Sequence, residues 1–279
     1  MNAPIRKCIE IAGAALCCLI TSCGNDSVVP SKAAASLPAN EGREVWSAEI
    51  VISAAASTKE LLESVASDFS GGLKTTVRVN PGPSSSLANQ IIEGAPADLF
   101  LCASREWAEK VKEADVAERS VELLTNTLVM IVPKGNPAGI KRPIDLLSSQ
   151  VKRIALAGEN VPAGKYADQV LAKLQLLESL AADNKIARAQ DVRGALSFVE
   201  RGEAEAGIVY STDVNVAPNV EVVHEFDSAL HDEIVYVLVL LKRGAKNPEA
   251  ISFFEYLQSD GADELYAKAG FRRVGQGKE

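Results

Sequence analysis

Histidine is almost missing from this chain: His224 and His231 are the only two in 279 residues. No His/Cys cluster stands at metal-ligand spacing, which argues against a metal-binding protein and leaves no cation site to assign. The same shortage argues against a serine hydrolase built on Ser57 or Ser84, the less favoured alternative, which would need a general base. Both histidines lie in polar segments and read as surface residues, and no Gly-x-Ser-x-Gly elbow is present. Aromatic residues make up only 5% of the chain, so stacking on nucleotides or sugars does not dominate its chemistry. Positive charge is also short. With 29 Lys and Arg against 37 Asp and Glu, the formal charge of −8 argues against nucleic acid or an anionic membrane surface as partner. It does not exclude a small anion, because surface charges are screened over about 8 Å while a local N–H dipole acts at contact.

Long apolar runs are few. Ile11 to Ile20 follows the basic pair Arg6 and Lys7; it is too short to span a membrane and has the size of a signal-peptide core. Residues 1–22 are therefore expected to be a signal peptide. The stretch Ile20-Thr21-Ser22-Cys23 resembles a bacterial lipobox, which implies cleavage before Cys23 and lipid on that residue. Residues 23–45, rich in Ser, Ala, Asn and Pro, read as a flexible tether that holds a domain off the membrane. Cys8, Cys17 and Cys18 would leave with the signal. Cys102 then stays alone in the folded part, in the apolar run Asp98 to Cys102, and reads as a core residue rather than a nucleophile.

From Trp46 onward, strand-like runs alternate with helical ones. Glu49 to Ser53, Val77 to Asn80, Asp98 to Cys102, Leu128 to Val132, Ile154 to Leu156, Ala206 to Tyr210, Val220 to Val223 and Val235 to Leu240 read as strands. Helices between them carry Leu61, Leu62, Val65 and Phe69, then Tyr166, Val170 and Leu171, then Ala195, Leu196 and Val199. Asn247 and Asp260 are expected to cap the last two helices. This alternation predicts an α/β fold with mostly parallel sheet, split into two lobes. The expected division is 46–128 with 232–279 for lobe 1, and 129–231 for lobe 2. The apolar runs at Leu128 to Val132 and Val235 to Leu240 are expected to be the crossings. A ligand would sit in the cleft, where strand ends face helix starts.

Four helix starts carry small or hydroxylated residues. In Ser57-Thr-Lys-Glu60 the spacing is that of a capping box, with Ser57 as the cap. Pro81-Gly-Pro-Ser84-Ser-Ser86 opens another helix, with one serine expected as its cap. Val161-Pro-Ala163-Gly164 places a proline in the first turn and leaves backbone N–H groups uncovered. Asp191 caps a fourth helix, where Val192 offers its N–H. A strand ends at Tyr210, whose phenol donates one hydrogen bond or simply faces water. Helix starts present unpaired N–H groups and a positive dipole end, so turns of this kind, brought together, make an uncharged anion cage.

These segments, in order across residues 48 to 273, resemble the periplasmic molybdate-binding proteins of bacterial ABC transporters. The matching stretches are Ala54-Ala-Ala-Ser57, Ser84-Ser-Ser-Leu-Ala-Asn-Gln-Ile, Glu93-Gly-Ala-Pro-Ala-Asp-Leu-Phe100, Val161-Pro-Ala-Gly164, Asp191-Val-Arg-Gly-Ala-Leu196 and Gly207-Ile-Val-Tyr210. The resemblance implies the two-lobed solute-binding fold with a hinge and an interlobe cleft. It implies molybdate or tungstate as ligand, no enzyme activity and no cofactor, and a membrane permease with its ATPase as partners of a monomer. Carried over by position, Ser57 and Ser84 give hydroxyls, Ala163 and Val192 give backbone N–H groups, and Tyr210 gives its phenol. Pro83 departs from the family's usual small residue and leaves the second hydroxyl to Ser84 or Ser85. Arg193, beside the site in sequence, is expected to act structurally or through long-range electrostatics. A cage of this kind would select by size, passing over the shorter-bonded sulfate and hardly separating molybdate from tungstate. A binding protein for sulfate or phosphate uses the same physics and is the alternative.

Overall fold

Runs of β-branched and small apolar residues build the inner strands of this chain, and those runs are buried on both faces, as strands between helices require. The computed structural model describes residues 49–70 and 75–275. The expected signal at residues 1–22, Cys23 and the tether to residue 45 lie outside the described residues. In chain order the elements are β1 (Glu49–Ala55), α1 (Lys59–Ser70), β2 (Thr76–Gly82), α2 (Ser84–Ile92), β3 (Leu99–Cys102), α3 (Arg105–Glu113), β4 (Ala117–Thr125) and β5 (Leu128–Pro133). They continue with β6 (Ile154–Ala157), α4 (Pro162–Lys173), α5 (Leu177–Ala182), β7 (Ile186–Ala189), α6 (Val192–Glu200), β8 (Ala206–Tyr210) and β9 (Val220–Glu225). The chain closes with β10 (Val235–Leu241), α7 (Pro248–Tyr256), α8 (Asp263–Lys268) and β11 (Arg272–Arg273).

The strands form two sheets, a six-stranded one ordered β11-β4-β10-β3-β1-β2 and a five-stranded one ordered β7-β6-β8-β5-β9. Neither is mostly parallel, contrary to expectation. In the first, β1 pairs in parallel with β2 and β3, while β10 runs antiparallel to β3 and β4. In the second, β6 pairs in parallel with β7 and β8, while β5 runs antiparallel to β8 and β9. The antiparallel half follows from the chain crossing between sheets twice. A strand that enters a sheet from the other lobe arrives without a βα unit to turn it round.

The crossings themselves are short. The chain leaves the first sheet at Thr125, passes Asn126 and Thr127, and enters the second at Leu128. It returns through residues 226–234. The apolar runs at Leu128 and Val235 are thus not the crossings but the strands entered after them, β5 and β10, buried because they sit inside their sheets.

One of the two expected caps differs. The final helix is preceded by a 3-10 turn, Asp260–Ala262, and no side chain caps that turn. Asn247 does cap α7, accepting from the Glu249 N–H at 3.1 Å. Cys102 lies in β3 with no exposure, and burial pushes its thiol up to about 12, so it stays a neutral thiol.

Candidate functional site

The six strands that pair in parallel, three in each sheet, end on one cavity. Ala55 ends β1, Gly82 ends β2, Ala103 follows β3, Val161 and Asp191 lie beyond β6 and β7, and Tyr210 ends β8; each lines the cavity. This is the place where strand carboxyl ends and helix amino ends meet in open α/β sheets. Ser57, Ser84, Ala163, Val192 and Tyr210, far apart in sequence, all line it. Ser84 lines it and Ser85 does not.

The helix starts are held there by local chemistry. Pro162 and Ala163 open α4, so the N–H groups of Ala163 and Gly164 have no partner within the helix. The helix can begin so close to β6 only because residue 164 is glycine. A Cβ there would stand 2.1 Å from the Gly158 carbonyl oxygen and 2.6 Å from that of Ala157. Asp191 caps α6 as expected, accepting from the Gly194 N–H at 2.9 Å, so its carboxylate is turned onto its own helix. Val192 then presents its N–H in the first turn. In α2 no serine is the cap. Pro83 holds that position and Ser84 is the first helical residue. The Ser84 hydroxyl accepts from the Ala103 N–H at 3.1 Å, which ties α2 to the end of β3.

Ser57 is not the cap of a capping box either. It sits in a 3-10 turn, Ala56–Thr58, ahead of α1, and no side chain caps that turn. Its hydroxyl lies 2.9 Å from the hydroxyl of Tyr236 on β10. The carboxylate of Glu60, expected to complete the box, instead binds Arg193 at 2.7 Å. Arg193 belongs to α6 on the second sheet and turns away from the cavity. It also donates to the Ser57 carbonyl at 3.3 Å and places Nε 2.9 Å from Asp213 Oδ1. It therefore ties the two lobes together behind the cavity. A second tie joins Lys165 of α4 to Glu106 of α3.

Tyr210 is 1% exposed, so its hydroxyl does not face water, and it has no hydrogen-bond partner among the described residues. Burial raises its phenol well above the ordinary value, which keeps it a donor. Such an orphan is rare in native structures and points to a group that arrives from outside. Beneath it, Asp213 accepts the Tyr210 N–H at 3.2 Å with no exposure of its own. Burial pushes the Asp213 carboxyl up to about 7, with Arg193 pulling it back. Its value when unfolded is about 3.9. The native state thus holds a proton between those two values that the unfolded chain has lost. The contribution of Asp213 is fully present below about pH 4 and declines toward pH 7, by at most ~1.4 kcal/mol per pH unit. Melting curves of the wild type and Asp213→Asn from pH 4 to 8 check this. The wild type is expected to lose stability relative to the variant as pH rises.

The sequence pointed to the helix starts but missed Tyr236, Asn126 and Thr212, which stand behind Ser57. Asn126 donates to Thr212 at 2.8 Å and to the Tyr236 hydroxyl at 3.3 Å. Nothing local marks them, since they come from the first crossing, from β10 and from the turn after β8. His231 also differs from expectation. It is 7% exposed, packs against the Tyr166 ring at 5.9 Å, meets the Asp232 carbonyl through Nδ1, and is not among the residues that line the cavity.

Besides Asp191, whose carboxylate caps its own helix, the cavity is walled by hydroxyls, helix starts and apolar side chains, without a lysine, arginine or histidine among the described residues. Its chemistry is that of hydrogen-bond donation to an anion from both lobes.

Comparison with known proteins agrees with that chemistry. A putative ABC transporter substrate-binding lipoprotein of Bacillus subtilis is 39% identical over 226 residues, covering 80% of this chain and 85% of that protein. A molybdate-binding protein of Haemophilus influenzae is 38% identical over 233 residues, covering 81% and 90%. The solved substrate-binding domain of a putative molybdenum ABC transporter from Clostridium difficile is 33% identical. It superposes with a TM-score of 0.63 over 82% of this chain and 100% of that one. The profile of the bacterial extracellular solute-binding proteins matches residues 50–272, both sheets and every wall of the cavity, and the chain belongs to that family.

Proposed function

We propose that this chain is the solute-binding component of an ABC transporter, and that it captures molybdate, or tungstate, for uptake. The observation that carries the reading is the buried Tyr210 hydroxyl without a partner, facing the same cavity as Ser57, Ser84 and the first turns of α4 and α6. A tetrahedral dianion supplies acceptors to all of them. Ser57, Ser84 and Tyr210 donate through hydroxyls, and Ala163 and Val192 through backbone N–H groups. Charge-assisted bonds contribute ~1.5–3 kcal/mol each. A neutral cage also avoids burying a cation when empty, which would cost several kcal/mol. Sulfate carries the same charge at shorter bond length and does not reach donors on both lobes at once. Molybdate and tungstate are nearly equal in size and bind alike.

The rest of the molecule fits that role. Lobe 1 comprises residues 46–128 and 232–279, lobe 2 residues 129–231, and they close on the ligand. Residues 1–22 direct export, and lipid on Cys23 with the tether to residue 45 holds a monomer at the outer face of the membrane, where a permease and its ATPase receive the ligand. The relatives are transport proteins by name, and no catalytic role is assigned.

Thermal melting with molybdate, tungstate, sulfate and phosphate tests the ligand. A site filled at 1,000 times its dissociation constant adds ~4.1 kcal/mol, which raises the melting temperature by ~8–16 °C in a protein of this size. The rise is expected with molybdate and tungstate. A rise with sulfate or phosphate alone would keep the cage and replace the ligand.

A further inference from the structure

Hydrogen-bond bookkeeping behind Ser57 fixes where its proton goes. The Asn126 side chain lies in the first crossing and is 8% exposed. Its Oδ1 receives the Thr127 backbone N–H at 2.9 Å and the Ser211 hydroxyl at 3.0 Å. A backbone N–H only donates, so the amide cannot be flipped, and Nδ2 must face Thr212 and Tyr236. The Tyr236 hydroxyl, on a residue with no exposure, therefore accepts from Asn126 at 3.3 Å. Its own proton has one acceptor within reach among the described residues, the Ser57 oxygen at 2.9 Å. If Ser57 donated to Tyr236 instead, the phenol proton would be buried without a partner, which is the unfavourable arrangement. The phenol itself stays protonated, because burial raises its ionisation well above the ordinary value.

We infer that Asn126 and Tyr236 form a one-way relay from the interlobe crossing that makes Tyr236 donate to Ser57 and so aims the Ser57 proton into the cavity as a donor to the bound oxyanion. Tyr236 is then a positioning residue that never touches the ligand. The relay spans both crossings, Asn126 in the first and Tyr236 just after the second. The donor direction at Ser57 is thus set by the hinge rather than by the turn that carries the serine. Without it, the Ser57 hydroxyl is free to rotate and can turn a lone pair toward the anion. This inference rests on the oxyanion reading above.

A double-mutant cycle on the full-length protein separates the two claims, with molybdate as the titrant and melting curves to verify folding. Tyr236→Phe keeps the ring, its 5.9 Å contact with Tyr210 and its edge contact with Phe271, and removes only the relay. It is expected to weaken molybdate binding roughly tenfold in the wild-type background. In a Ser57→Ala background the same change is expected to alter affinity by less than about twofold, because the proton it positions is gone. A structural role for Tyr236 would give the same loss in both backgrounds and overturn the inference while leaving the ligand assignment in place. An unchanged affinity in Tyr236→Phe alone would also overturn it. A wild-type protein that binds no molybdate would overturn the oxyanion reading, and the relay's purpose with it.

Discussion

Gly164→Ala is expected to weaken molybdate binding by at least ~10–150-fold and to lower the melting temperature by several degrees. The added Cβ would lie 2.1 Å from the Gly158 oxygen and 2.6 Å from the Ala157 oxygen. Both obstacles are backbone, at the end of a fully buried strand, so neither can move aside as a flexible side chain would. The first turn of α4 must shift instead, and Ala163 moves with it. The fold bears an overpacking penalty at the upper end of ~1–3 kcal/mol. Binding loses at least one charge-assisted N–H bond, ~1.5–3 kcal/mol, or ~10–150-fold in affinity. Loss of the matching geometry across the two lobes adds to this. Calorimetric titration and thermal melting of the same preparation check both effects. Wild-type affinity in Gly164→Ala would mean that the α4 amino end does not contact the ligand.

Tyr210→Phe is expected to move affinity and stability in different directions. The hydroxyl is buried and makes no hydrogen bond to the described residues, so its removal deprives the free protein of nothing. Leaving a polar group buried without a partner costs ~1–3 kcal/mol, and the variant escapes that cost. The ligand-free melting temperature should therefore stay level or rise. Molybdate affinity should fall ~10–150-fold, the share of one charge-assisted hydrogen bond. Titration calorimetry and ligand-free melting of the variant separate the two. A fall in both quantities would show that the hydroxyl serves the fold rather than the ligand.

Much of the candidate site is legible in sequence because its parts are local. A helix start is declared within a few residues, by Pro162, by Asp191, by the serines after Pro83, and each start lies where β-branched runs end. What stays hidden is whatever depends on residues far apart. Ser57 and Glu60 have capping-box spacing, yet Glu60 meets Arg193, 133 positions away, and Ser57 meets Tyr236, 179 positions away. A short-range rule could not foresee either, since the competing partner comes from the other lobe or from β10. The same holds for the fold. Alternating strands and helices announce α/β, but the antiparallel half of each sheet follows from where the chain crosses. β4 is masked by its own residues: Glu118, Arg119 and Glu122 are exposed, and only Leu123 and Leu124 are buried. Its place between β10 and β11 is set by pairing rather than by its own apolar pattern.

Titration calorimetry of the purified protein with molybdate, and then with sulfate and phosphate, tests the central claim most directly: that these converging helix starts and hydroxyls form an uncharged, size-selective cage. The expected result is one-to-one binding of molybdate with no heat from sulfate or phosphate at the same concentrations. Equal or tighter binding of sulfate, or no binding of any oxyanion, would contradict it.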